Sequence, residues 1–169
     1  MLNGVAYSFH DVIGKEERSF SGSYYNMKEA ITVVGIIQIL ARKAKRADWG
    51  SSEKVRIITF YQGQVSCIKN LLQRKGLGSV LVATVDSSQG SEAETIIISF
   101  VRSTDKIGSE YHTTAGFLAD DRRLNVALTR AKYQLICVGN TSSILHSGVP
   151  TLKALITNAK ERSCIVTSI

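Results

Sequence analysis

Two stretches of this chain hold residue types and spacings suited to phosphate chemistry. In Arg122-Arg-Leu-Asn-Val-Ala-Leu-Thr-Arg-Ala-Lys132, two arginines open the run and Arg130 follows seven positions after Arg123. A guanidinium stays charged at any working pH and grips phosphate oxygens through paired N–H donors. In Asp86-Ser-Ser-Gln-Gly-Ser-Glu92, hydroxyls, an amide, two carboxylates and a glycine share one loop. Such a loop can meet phosphates with hydroxyls and backbone N–H groups, and sugar hydroxyls with its carboxylates. Each stretch also has a plainer reading. The arginines can be rim residues salt-bridged to Asp120, Asp121 or Glu94, a reading at least as strong as catalysis for one helix alone. The loop can be a solvated turn, which its composition alone favours.

Positioning these groups requires a scaffold, and the apolar pattern outlines one. At about 100° per residue, Leu124, Ala127, Leu128 and Ala131 fall on one face of a helix over 122–132. Arg123 and Arg130 then border that stripe two turns apart, with Arg122, Val126 and Thr129 on the surface beyond. Asp120 or Asp121 can cap the helix. Strands are expected over 4–9, 55–60, 80–85, 95–101 and 135–139, and further helices over 27–45, 64–74 and 152–162, with a helical turn over 142–146. Asn26 and Glu29 have capping-box spacing. Segments 10–23 and 102–119 read as loops, and Pro150, the single proline, as the start of the last helix. Alternating strands and helices make an α/β protein with a largely parallel sheet and helices on both faces. In such sheets ligands sit beyond the C-terminal ends of the strands. That directs attention to 61–64, 86–94, 102 onward and Asn140.

Bulk properties agree with an anionic partner. The 169 residues suit one domain or a piece of a larger protein, and a hydrophobic content of 44% supplies a core. A formal charge of +7 and a pI near 9.5 put nucleic acid first among partners. Basic residues gather at Arg42, Lys43, Lys45 and Arg46, where they can simply complement a helix C-terminus, and again around Arg122 to Lys132. The three cysteines lie far apart in apolar runs, so they form neither a zinc site nor a disulfide framework and read as inert thiols of a reducing compartment. With no secretory signal, the expected location is cytoplasmic or nuclear, not secreted. The three histidines are isolated, no metal site is expected, and the longest apolar stretch, 30–41, is too short to span a membrane. No GxxxxGK[ST] phosphate loop is present, and Gly14-Lys15 runs into Glu16 without the upstream glycine.

Taken in order, Thr84-Val-Asp-Ser-Ser-Gln-Gly-Ser-Glu92, an apolar strand, Gly116-Phe-Leu-Ala-Asp120 and Arg122 to Lys132 resemble motifs five and six of superfamily 1 helicases. The resemblance points to the branch of the nonsense-mediated-decay RNA helicase and senataxin, and the first run is also similar to nidoviral helicases. Ile57-Ile-Thr-Phe-Tyr-Gln-Gly-Gln64 is similar to the family's ITPYxxQ segment, with Phe60 in place of the usual proline. The likeness covers about 5–140 of a single domain over 1–169, leaving 141–169 as a C-terminal helix and tail.

That resemblance implies the second of two RecA-like domains, which in the family close on ATP and share a single strand of nucleic acid. The phosphate loop and the Mg2+-binding acidic motif belong to the first domain, and the family's QYR segment would lie just upstream of Met1. Arg130 matches the motif-six arginine that reaches the γ-phosphate, and Arg123 one that supports the site's geometry. Gln89, Gly90 and Glu92 match the nucleotide side of motif five, with the glutamate on the ribose. Thr84 and Ser88 match its nucleic-acid side, and Tyr61 and Gln64 the fourth-motif segment. The implied partners are ATP with Mg2+, a first RecA-like domain, and single-stranded nucleic acid, RNA ahead of DNA, with no membrane. Such a chain would be inactive alone. The alternatives are a RecA-like module that binds nucleic acid or protein without hydrolysing ATP, and a phosphotransfer enzyme unconnected to nucleic acid, which would not account for both motifs.

Overall fold

A computed structural model describes residues 6–44, 47–103 and 116–167. Its elements are β1 (Tyr7–Asp11), β2 (Glu16–Arg18), β3 (Tyr24–Asn26), α1 (Met27–Lys43), β4 (Val55–Thr59), α2 (Gln62–Arg74), β5 (Leu81–Thr84), β6 (Ala93–Ser99), α3 (Asp121–Leu128), β7 (Ala131–Gly139), α4 (Thr141–Leu145), α5 (Pro150–Glu161) and β8 (Ile165–Thr167). Six strands form one sheet in the order β5-β4-β6-β7-β1-β8, every neighbour parallel. This is the α/β, RecA-like arrangement anticipated from the alternating pattern.

Side chains alternate across a strand, and central β6 uses both faces. Ile96 and Ile98 enter a core with Leu124 and Ala127 of α3 and Leu152 and Ile156 of α5. Ile97 enters a second core with Val33 and Ile37 of α1 and Ile68 and Leu72 of α2. The three β6 isoleucines have no exposed surface, and truncating one to Ala would cost roughly 2–5 kcal/mol. Pro150 does open α5.

Several expectations are corrected. The helix expected over 122–132 ends at Leu128, and Ala131 and Lys132 belong to β7. The Thr129 hydroxyl bonds back to the Asn125 carbonyl at 2.7 Å, and Ala131 pairs with Ala93 of β6. The stripe misled because Ala131 does pack on the same core as Leu124 and Ala127, but as a strand residue. Arg130 therefore sits in the α3–β7 connection, not on the helix face. Segment 10–23 is no plain loop: β1 runs on to Asp11, and β2 and β3 pair antiparallel. β8 adds a strand that was not expected. Asn26 caps α1 by accepting from Glu29 N at 3.2 Å, but its own N–H goes to Gln64 at 2.8 Å, so Glu29 does not complete the reciprocal box. The expected strand start at 4–5, basic Lys45 and Arg46, most of the 102–119 loop and His112 lie outside the described residues.

Candidate functional site

The loop after β5 positions the candidate residues. By register, Thr84 at the end of β5 is level with Thr59, which is level with Ser99 at the end of β6. Ala93 lies at the opposite end of β6. The intervening eight residues thus cross from the C-terminal rim of the sheet to its N-terminal rim, with only a 3-10 turn at Asp86–Ser88 on the way. They cross on the α3 face, where Val85 and Ala93 join the core. Of the candidate residues, Thr84 thus lies at the C-terminal rim, while Glu92 and Arg130 stand at the other rim.

α3 runs beside this loop and is pinned to it at both ends. At the C-terminal rim, Arg123 Nε meets Asp86 Oδ1 at 3.0 Å and approaches Asp120 Oδ2 at 3.8 Å, with its guanidinium 4.8 Å from the Phe117 ring centre. Asp120 caps the helix, accepting from Arg122 N at 3.0 Å and Arg123 N at 3.3 Å. At the N-terminal rim, Ala93 N donates to Arg130 O at 3.1 Å. That bond sets the backbone of Arg130 beside the residue that follows Glu92.

The two arginines differ electrostatically. Arg123 has carboxylate partners. Arg130 has none among the described residues: its Nε donates to Val126 O at 3.1 Å and its Nη2 to Thr129 Oγ1 at 3.4 Å. Glu94, a candidate neutraliser, pairs instead with Lys54 at 2.5 Å. Glu92 is exposed and likewise has no ion-pair partner among the described residues. Gln89 and Gly90 are exposed, and Gly90 has φ 77°, a left-handed conformation that favours glycine.

The four residues assigned to nucleic acid are not equally accessible. Thr84 is half-buried and shares a 2.9 Å hydroxyl contact with exposed Ser87, whose Oγ also accepts from Thr84 N at 3.0 Å. Ser88 is fully buried, and its Oγ has no hydrogen-bond partner. Tyr61 precedes α2 with its ring buried, 5.7 Å from Tyr24 and 5.6 Å from Phe117. Burial raises its phenol pKa, against the opposing pull of the Arg102 guanidinium. Gln64 is fully buried and gives its amide to Asn26 O at 3.2 Å and Ser99 Oγ at 2.9 Å. Its polar atoms are committed to holding α2 against β3 and β6.

Glu29 has a role beyond the first turn of α1 that its spacing from Asn26 does not disclose. Its carboxylate has no exposed surface and accepts from Ser99 Oγ at 2.7 Å and Val101 N at 2.9 Å. Burial pushes its pKa up to about 8, although the hydrogen bonds from Val101 and Ser99 pull the other way. Val101 has φ 72°, unusual for a β-branched residue, and the Glu29 bond fixes that kink. Arg102 and Ser103, which follow, clamp Glu16 of β2 through Arg102 Nε at 2.8 Å and Ser103 N at 3.0 Å. A glutamate in the first turn of an apolar helix was the available signal. Among the described residues, no group of three or more His, Cys, Asp or Glu could hold a metal ion, and no helix is long and apolar enough to cross a membrane.

The pattern of a family described as "AAA domain" matches residues 3–142. The chain is 38% identical over 165 residues to a "Regulator of nonsense transcripts 1 homolog" of Arabidopsis thaliana, covering 94% of this chain and 12% of that protein. It is 36% identical over 172 residues to the "ATP-dependent helicase NAM7" of Saccharomyces cerevisiae, covering 98% of this chain and 16% of that one. It is 38% identical over 154 residues to the mouse "RNA helicase Mov10l1", covering 90% and 13%. This chain thus spans a small fraction of the length of these relatives. Matched across the loop after β5 and α3, on a six-stranded parallel sheet, the chain belongs to the AAA-domain family, as a C-terminal helicase domain of superfamily 1 in the regulator-of-nonsense-transcripts branch.

Proposed function

We propose that this chain supplies half of the ATP site and half of the single-strand track of an ATP-dependent helicase. Arg130 is the residue that reaches the γ-phosphate. The observation that carries this reading is its guanidinium, which no carboxylate among the described residues neutralises and whose backbone carbonyl is bonded to the residue after Glu92. An uncompensated, half-buried cation favours an anion, and a positioned arginine of this kind adds roughly 10³-fold or more to phosphoryl transfer by stabilising the charge of the transferring group. Glu92 accepts ribose hydroxyls, and Gln89 and Gly90 line the nucleotide side, the glycine allowing close approach. Mg2+ is held by residues of the first domain. Arg123 shapes the site by tying the loop to α3, and does not touch phosphate.

Thr84 lies at the other end of the same loop, and its hydroxyl faces the nucleic-acid backbone together with Ser87. Ser88 and Gln64 act from within, Ser88 by seating the loop and Gln64 by holding the base of the rim. Tyr61 backs the rim with its buried ring. One loop thereby spans nucleotide and strand, so closure of the first domain on ATP would be felt at Thr84. RNA is favoured over DNA by the relatives' names. The chain has no phosphate loop, so it hydrolyses no ATP alone and gains turnover only beside a first domain. Steady-state hydrolysis by the purified chain, and by a protein holding both domains, tests this: turnover by the chain alone, with contaminants excluded, would overturn it.

A further inference from the structure

The β2–β3 hairpin spends much hydrogen bonding on holding up one apolar ring. Its base is clamped by Glu16 to Arg102 and Ser103, and by the Ser103 hydroxyl to Gly14 O. Its far strand is clamped by Gly63 N to Ser23 Oγ at 3.0 Å and by Asn26 N to Gln64. The tip is closed by Ser19 N to Ser23 O at 2.8 Å and Gly22 N to Ser19 O at 2.9 Å, with Gly22 at φ 78°. On this mount Phe20 stands entirely in solvent, at 114% relative exposure.

The surroundings of that ring indicate its occupant. The ring's chain neighbours Ser19, Ser21, Gly22 and Ser23 are small or polar, unlike the apolar runs that build protein-docking patches. Arg18 projects on the same hairpin face as Glu16, but Arg102 already neutralises Glu16. Arg18 lies 4.8 Å from the Tyr24 ring centre and donates to the Tyr24 hydroxyl at 2.7 Å. Exposed Lys15 and Arg18 have no carboxylate partner among the described residues. A free ring beside hydroxyls, on a hairpin whose Lys15 and Arg18 make no ion pair among the described residues, suits a nucleobase whose phosphates lie alongside. The hairpin leaves the C-terminal end of β1 and packs on the start of α2, so it crosses the rim that holds Thr84 and Ser87.

We infer that the hairpin tip is a nucleobase-binding site, with Phe20 stacking on a base and Arg18 and Lys15 meeting the adjoining phosphates. This rests on the helicase reading and extends its track to a residue outside the matched motifs. The test compares the wild-type chain with Phe20→Ala and Phe20→Tyr, using fluorescence anisotropy of a labelled oligouridylate and of an abasic ribose-phosphate strand of equal length. Phe20→Ala should weaken oligouridylate binding about tenfold, the scale of one lost base stack, leaving the abasic strand and the salt dependence of binding unchanged. Phe20→Tyr should restore wild-type affinity. Equal oligouridylate affinity for wild type and Phe20→Ala, or equal loss on both strands, would overturn the stacking site while leaving the helicase reading intact. Absence of strand binding by the wild-type chain would likewise overturn the stacking site.

Discussion

Arg123 and Arg130 belong to one motif and end in opposite electrostatic situations. The pair made by Arg123 is partly exposed, so it contributes at most about 1 kcal/mol; its value lies in fixing where the loop leaves the rim. Glu29 is the other residue whose environment decides its behaviour. Its pKa rises from 4.5 to about 8 on folding, so between those values the folded chain holds a proton that the unfolded chain releases. The resulting stability is complete below the lower value and is lost as pH rises through the upper one. Unfolding by urea should therefore show stability falling from pH 5 to pH 8, by no more than about 1.4 kcal/mol per pH unit from this group. Glu29→Gln should flatten that dependence, and an unchanged slope in the variant would refute the assignment to Glu29.

At the scale of elements, the glycines give a sharp contrast. A Cβ on Gly63 would lie 2.7 Å from Tyr24 O and 3.1 Å from Ser23 O, both backbone atoms of the hairpin. Replacement by Ala gains up to about 1 kcal/mol of helix propensity, but displacing the hairpin costs about 1–3 kcal/mol, so Gly63→Ala should destabilise. A Cβ on Gly35, inside α1, would meet nothing within 4 Å, and Gly35→Ala should stabilise by about 0.5–1 kcal/mol. Thermal melts of the two variants should move in opposite directions; a shared direction would contradict the packing described. The same comparison indicates what a sequence discloses. β4, β6, α1 and α2 were legible because each has an apolar period that tertiary packing respects. The hairpin was not, because its three-residue strands are polar and held by side-chain bonds to Arg102, Ser103 and Gly63. The end of α3 was misplaced because Ala131 continues the apolar stripe after the backbone has turned to pair with β6. Motif spacing drew attention to Thr84, Glu92 and Arg130 as a set, but not to the burial of Ser88, nor to that of Gln64, which depends on β6 and β3 lying beside it.

For the whole molecule, the proposed function would use the height of the sheet to keep nucleotide and strand apart. The loop after β5 carries hydroxyls at one rim and Glu92 at the other, and α3 with its flanking residues runs between the same rims, from Asp120 to Arg130. A cleft against a first domain would put ATP at one end of this pair and the strand at the other, coupling them through a loop pinned by Arg123 and by the Arg130 carbonyl. In the proposed function Arg130 acts on the γ-phosphate in that cleft. The direct measurement is ATP turnover and ATP affinity of a protein holding both domains, wild type against Arg130→Ala. Hydrolysis by the variant should fall by about 10³-fold or more while ATP affinity is largely retained; near-normal kcat would show that Arg130 does not act on the γ-phosphate.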